Sequence, residues 1–159
     1  MSDLLDRYRT LFAFNAWAHE RQIGSLGIDA PGPAMRYISH TLAAEHNWLG
    51  RIQKNRGAAA PLPLELFPLF TGPECAEKAA ALSGQWKALL NEITPNELEV
   101  ELVYQNTQGK ECRSLLKDVL DHVITHSMHH RAQAQSALRQ AGRVPIDIGY
   151  IAYTRQANG

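Results

Sequence analysis

The chain has 159 residues, and 16 lysines and arginines balance 16 aspartates and glutamates to a formal net charge of zero. That length suits one domain, residues 1–159, with a substantial core. The charge balance excludes a nucleic acid or an acidic membrane surface held by bulk charge. The two cysteines, Cys75 and Cys112, form no CxxC pair. With no secretory signal they read as reduced thiols of a cytoplasmic protein. The run LFAFNAWA is short and flanked by charge, so it is neither a signal peptide nor a membrane span.

Residues 2–27 read as a first helix. Ser2 suits the N-cap, with Asp3 and Asp6 in the first turn facing the positive end of the dipole. Leu4, Leu5, Tyr8, Leu11, Phe12, Asn15, Trp17 and Ile23 make its apolar stripe. His19 sits among charged neighbours in AWAHERQI and is expected at the surface or the rim. The PGP at positions 31–33 breaks the chain, and Pro33 suits a first helical position. A second helix then runs to about Asn55. Its arc holds Tyr37, Ile38, Ala44, Trp48, Leu49 and Ile52, with His40 at the edge. His46 points away. Glu45 lies nearer the middle of the arc than a solvated glutamate should. It is either a partnered buried acid or a rim residue whose stem packs while its head stays wet, and the rim is the simpler expectation.

Residues 57–73 carry four prolines between Pro61 and Pro73, which exclude a regular helix, while the Leu and Phe residues imply packing. Residues 74–93 form a third helix with Ala76, Ala79, Ala80, Leu82, Trp86, Leu89, Leu90 and Ile93 turned inward. Within 98–112, the alternating VELVY and the turn-forming QNTQGK predict a small hairpin covering one end of the helices.

Residues 115–142 form the fourth long helix, stopped by Gly142 and Pro145. Four of the seven histidines fall there within nine residues. With His126 at zero and about 100° per residue, Val119 and Ala137 fall near 20°, His130 near 40° and Val123 near 60°. His126 and His130 therefore share the apolar stripe, with Cβ atoms about 6 Å apart, while His122 and His129 lie on its flank. Two imidazoles on a buried face need partners. One possibility is hydrogen bonding within the core. A metal ion taking two ligands from one helix is the other. No HExxH is present. Residues 146–157 make a short final helix whose Tyr150 and Tyr153 are expected to pack on the bundle. The fold class is therefore all-α, a four-helix bundle with a hairpin-like insertion before the fourth helix and a short C-terminal helix. The long connection after the second helix allows up-down-up-down or crossover topology.

These stretches together resemble the DinB/YfiT-like family of metal-dependent enzymes over nearly the whole chain. The matching pieces are LFAFNAWAHERQI, SHTLAAEHNWL, YQNTQGKECRSLLKDVLDHVITHSMHHRAQ and LRQAGRVPIDIGYIAYTRQ. Family members often read HHRGQ where this chain has HHRAQ, and alanine keeps that position small. The resemblance implies a divalent metal held by three histidines, one in the second helix eight residues before a Trp and two from an HxxxH in the fourth. Those positions are His40, His126 and His130, and His40 rests on the resemblance alone. Three imidazoles with an open position suit zinc or nickel and a catalytic ion, which lowers the pKa of a bound water toward about 7 or activates a thiol.

Some members of the family look like low-molecular-weight thiol transferases, so the resemblance implies a transferase using such a thiol and a small-molecule substrate. The alternatives are a metal-dependent hydrolase with the same ligands, or a non-catalytic, stress-induced metal-binding and dimerisation module. Glu45 is the candidate acid/base and Arg131 the candidate anion contact. A homodimer is expected, with neither nucleic-acid nor membrane partners.

Overall fold

The computed structural model describes residues 2–27 and 29–157, leaving the side chains of Ser2, Asp3 and Ala157 undescribed. The expected cap at Ser2 and the first-turn Asp3 side chain lie outside the described residues. Four long helices, α1 (Ser2–Gly24), α2 (Gly32–Asn55), α3 (Gly72–Glu92) and α4 (Leu116–Gln140), form the bundle. A 3-10 turn (Pro95–Glu99), the hairpin β1 (Glu101–Gln105) and β2 (Glu111–Leu115), and α5 (Tyr150–Ala157) complete the chain.

Side-chain pairings fix the topology. Arg9 Nε donates to Leu90 O and Phe12 packs on Trp86, so α1 and α3 are antiparallel. Tyr8 bonds Lys117 O and Gln22 bonds Arg131 O, so α1 and α4 run parallel. His40 faces His126 and Trp48 faces His122, which makes α2 and α4 antiparallel. The result is up-down-down-up, with α1 and α2 on opposite corners and both packed on α3 and α4. Helices α2 and α3 therefore point the same way, and residues 56–71 must return along the bundle between them. This is the crossover alternative.

The stripes read from periodicity mostly face inward. Leu5, Tyr8, Phe12, Ile38, Leu42, Leu49, Ile52, Leu82, Trp86, Leu90, Leu120 and Val123 are buried in one core. Ala76 and Ala80 are not: both are exposed, because α1 and α3 stand apart there around a groove of about 1700 Å³. Helix α3 also starts earlier than expected. Thr71 and Glu74 form a reciprocal capping box, the Thr71 N–H donating to Glu74 Oε2 at 2.7 Å. Helix α4 ends where Gly142, at φ 77°, supplies the left-handed residue that an Ala would adopt only with strain. In α5, Tyr150 meets Phe14 edge-on at 5.2 Å and Tyr153 packs on Trp17 at 5.5 Å, so both tyrosines pack on the bundle as expected.

The returning segment is a strap fastened along α2. Asn47 accepts from Leu64 N and donates to Leu64 O. Ser39 Oγ accepts from Phe70 N, and His46 reaches Leu62 O. Pro61 packs on α2 at Gly50, where a Cβ would meet the Pro61 carbonyl oxygen in ordinary contact at 3.6 Å. Prolines 61, 63 and 68 suit this service, since the strap bonds chiefly through other residues' backbone groups and helix formation is excluded.

Candidate metal centre

The one-turn spacing on α4 sets His126 and His130 with ring centres 4.4 Å apart. Antiparallel packing of α2 then brings His40 opposite the gap between them. His40 Nε2 lies 3.2 Å from Nε2 of His126 and 3.2 Å from Nε2 of His130. His40 is buried, and His126 and His130 are half-buried.

The far nitrogens decide what these contacts mean. His40 Nδ1 is 2.5 Å from Leu66 O on the strap, and His130 Nδ1 is 2.6 Å from Gln133 Oε1. Leu66 O can only accept, so His40 must carry its proton on Nδ1. With the Gln133 amide oxygen turned toward Nδ1, His130 takes the same tautomer. Both Nε2 atoms then present lone pairs, and no hydrogen bond can form between them at 3.2 Å. Two acceptors facing each other at that distance repel, and a cation between them would relieve the repulsion. Carbonyl or carboxamide acceptors behind the ligating rings are the usual outer partners of a metal-bound histidine.

Electrostatics favours the same state. Burial, then the neighbouring His130, His40 and His122, push His126 down from 6.5 to about 4. Burial also lowers His130, working against its bond to Gln133. Both imidazoles are neutral at pH 7, the form a metal requires. The three ligand atoms lie within 4.8 Å of one another, and the donor set fits a divalent ion with imidazole preference. Phe67 of the strap stacks on the His40 ring at 4.2 Å, and Tyr37 lies parallel to His130 at 6.1 Å. His122 and His129 are exposed on the flank.

Glu45 and Arg131 make no hydrogen bond to the cluster, although the Glu45 charge is close enough to oppose the lowering of His126. Glu45 is 3% exposed, and its Oε1 accepts from Asn15 Nδ2 at 2.8 Å, His19 Nε2 at 2.7 Å and Ser127 Oγ at 2.7 Å. Arg131 donates to Asn15 Oδ1, and its guanidinium lies over Phe14 at 5.6 Å. The pair thus meets through Asn15 across the bundle diagonal, and no hydrogen bond ties either residue to the three histidines. Burial raises the Glu45 carboxyl, but the His19 charge and the bonds from His19, Asn15 and Ser127 outweigh it. The group stays below its ordinary 4.5. Burial pulls Arg131 down to about 10, against the raising effect of Glu45.

Two expectations need correction. Glu45 is no rim residue but a buried acid with three donors. His19, expected at the surface, is 3% exposed and hydrogen-bonded to Glu45. A signal for His19 existed. It stands four residues after Asn15, about 40° round the helix and still within the apolar stripe. Its charged sequence neighbours concealed this.

The large groove lies away from the histidines. It runs between α1 and α3, floored by Ala13, Ala16, Ala79 and Ala80, and the charged residues on its walls are Arg9, Lys87 and Glu20. Among the described residues no helix is long and apolar enough to cross a membrane. Comparison with curated proteins and with solved structures found no significant match to the chain. The sequence profile of the DinB family matches residues 31–158, a span that contains α2, the strap, the hairpin and all three clustered histidines. The chain belongs to the DinB family.

Proposed function

We propose that the protein is a metal-dependent transferase that activates a low-molecular-weight thiol at His40, His126 and His130. The observation that carries this reading is the pair of Nε2 lone pairs held face to face at 3.2 Å by Leu66 O and Gln133 Oε1. Bound there, zinc or nickel would supply Lewis acidity that lowers the pKa of a thiol or water. The chain's own part is to keep His126 and His130 neutral through burial and to aim His40 and His130 through the two Nδ1 acceptors. Phe67 packs on the His40 ring and Tyr37 lies parallel to that of His130. An external thiol is favoured because neither cysteine hydrogen-bonds a base: Cys75 Sγ lies against Ser39 Oγ, and Cys112 Sγ donates to Lys110 O. Glu45 and Arg131, expected as acid/base and anion contact, are better read as a buried brace that fixes α4 against α1 and α2.

The test is turnover. Protein loaded with zinc or nickel is mixed with a thiol and an aryl-halide electrophile, and thioether formation is followed. Transfer that requires the metal and disappears in His126→Ala supports the proposal. Thiol-independent ester hydrolysis by the same loaded protein favours the hydrolase. Neither activity in fully loaded protein leaves the non-catalytic module.

The expected homodimer is best placed on the α1–α3 groove. Arg9 and Lys87 lie at one end of it and Glu20 at the other, so a two-fold axis through the alanine floor sets opposite charges against each other. Light scattering should give twice the chain mass, and Ala16→Glu with Ala80→Glu should give the single-chain mass. An unchanged mass in the double variant would remove this face from consideration.

A further inference from the structure

We propose that Arg51 is an anion subsite that takes a carboxylate of the thiol cosubstrate. The inference rests on the thiol reading above, but it concerns residues that the metal does not use. Arg51 follows His40 by eleven positions, about 20° round α2 and roughly 16 Å along its axis, so both share one face. Its side chain leans toward the helix N-terminus, back toward the histidines. The guanidinium lies 4.4 Å from the centre of the Trp48 ring and 5.3 Å from that of Tyr104. Trp48 meets His122 edge-on at 5.3 Å, and His122 neighbours His126 at 5.3 Å. A row of rings therefore leads from the cation to the metal ligands.

The cation itself lacks a counter-ion. Arg9, Arg56 and Arg113 each pair with a carboxylate. Arg51 is half-buried, and among the described residues it has no acidic partner. Its hydrogen bond goes to Gln105 O at 3.1 Å, which leaves most of the fork unused. The titratable groups around it are Tyr104, Cys112 and His122, with no carboxylate among them. A guanidinium partly withdrawn from water gains most from a planar anion that takes two of its N–H groups. Clamping the hairpin does not require this arginine. Asn55 already donates to Val103 O and accepts from Val103 N, both at 2.9 Å.

The experiment uses cobalt-loaded protein and two probes, reduced glutathione and its diethyl ester, read by sulfur-to-cobalt charge-transfer absorption. In the parent the free acid should bind about tenfold or more tighter than the ester, the size of one charge-assisted contact. Arg51→Gln should erase the preference and Arg51→Lys should keep part of it. Asn55→Ala, which loosens the hairpin but keeps the cation, should preserve it. Equal affinities in the parent, a preference that survives Arg51→Gln, or an equal loss in Asn55→Ala overturns the subsite. If neither probe gives the absorption in protein that holds cobalt, the thiol reading itself fails and the subsite falls with it.

Discussion

Replacing Glu45 by alanine removes the one acceptor shared by Asn15, His19 and Ser127 in a place where water cannot substitute. Each buried donor left without a partner costs about 1–3 kcal/mol, and some of that is recovered as the three side chains turn toward one another. The Arg131 cation also loses the negative charge that it reaches through Asn15, and breaking a buried charge pair costs about 3–5 kcal/mol. These contributions overlap, so the expected loss is about 3–5 kcal/mol, or a melting temperature lower by roughly 6–20 °C for a domain of this size. Urea denaturation followed by circular dichroism measures it. Glu45→Gln should lose less, because its amide oxygen still accepts. The double variant Glu45→Gln with Arg131→Met should lose less than the two singles together. A loss under about 1 kcal/mol for Glu45→Ala would refute the claim that this carboxylate braces the bundle.

Acid should reveal the same group. The Glu45 carboxyl is held below 4.5 in the folded chain, so its stabilisation is complete above that value and fades as pH falls through the lower folded one. The parent should lose stability more steeply below pH 4.5 than Glu45→Gln, and parallel slopes would contradict this. In metal-free protein the His126 ring should titrate near 4 by NMR, and a midpoint at 6 or higher would contradict its burial among like-charged neighbours. Gln133→Ala removes the acceptor behind His130 and should weaken metal binding about tenfold in a chelator competition, with no comparable effect on melting. Unchanged affinity would show that the carboxamide does not hold the ring. Burial raises the Cys75 thiol, so alkylation of the native protein should label Cys112 alone, with Cys75 reacting only on unfolding. Rapid double labelling would count against the packing of α3 on α2.

The sequence was most informative where one helix carries the whole relation. His126 and His130 are one turn apart on α4, so their spacing already sets their rings side by side. His40 could not be chosen that way, because its place depends on how α2 packs against α4, and its edge position on the α2 arc is ambiguous. Family resemblance supplied it. The prolines of residues 56–71 excluded a helix, but nothing local says that Leu66 O will meet His40 Nδ1 or that the segment must travel back along α2. That requirement comes from the parallel setting of α2 and α3, a long-range fact. His19 and Glu45 elude a local reading for a common reason. Charged or polar character taken singly points to the rim, whereas each is buried because the other, with Asn15 and Ser127, satisfies it. Ala76 and Ala80 lie on a stripe that periodicity reads as core, and small side chains serve equally well on the floor of a surface groove.

Equilibrium dialysis against zinc and nickel with elemental analysis tests most directly whether His40, His126 and His130 hold one divalent ion. The expected result is about one ion per chain in the parent, with binding lost in His40→Ala, His126→Ala and His130→Ala while the variants remain helical. A parent that binds neither metal, or variants that bind as well as the parent, would contradict such a site.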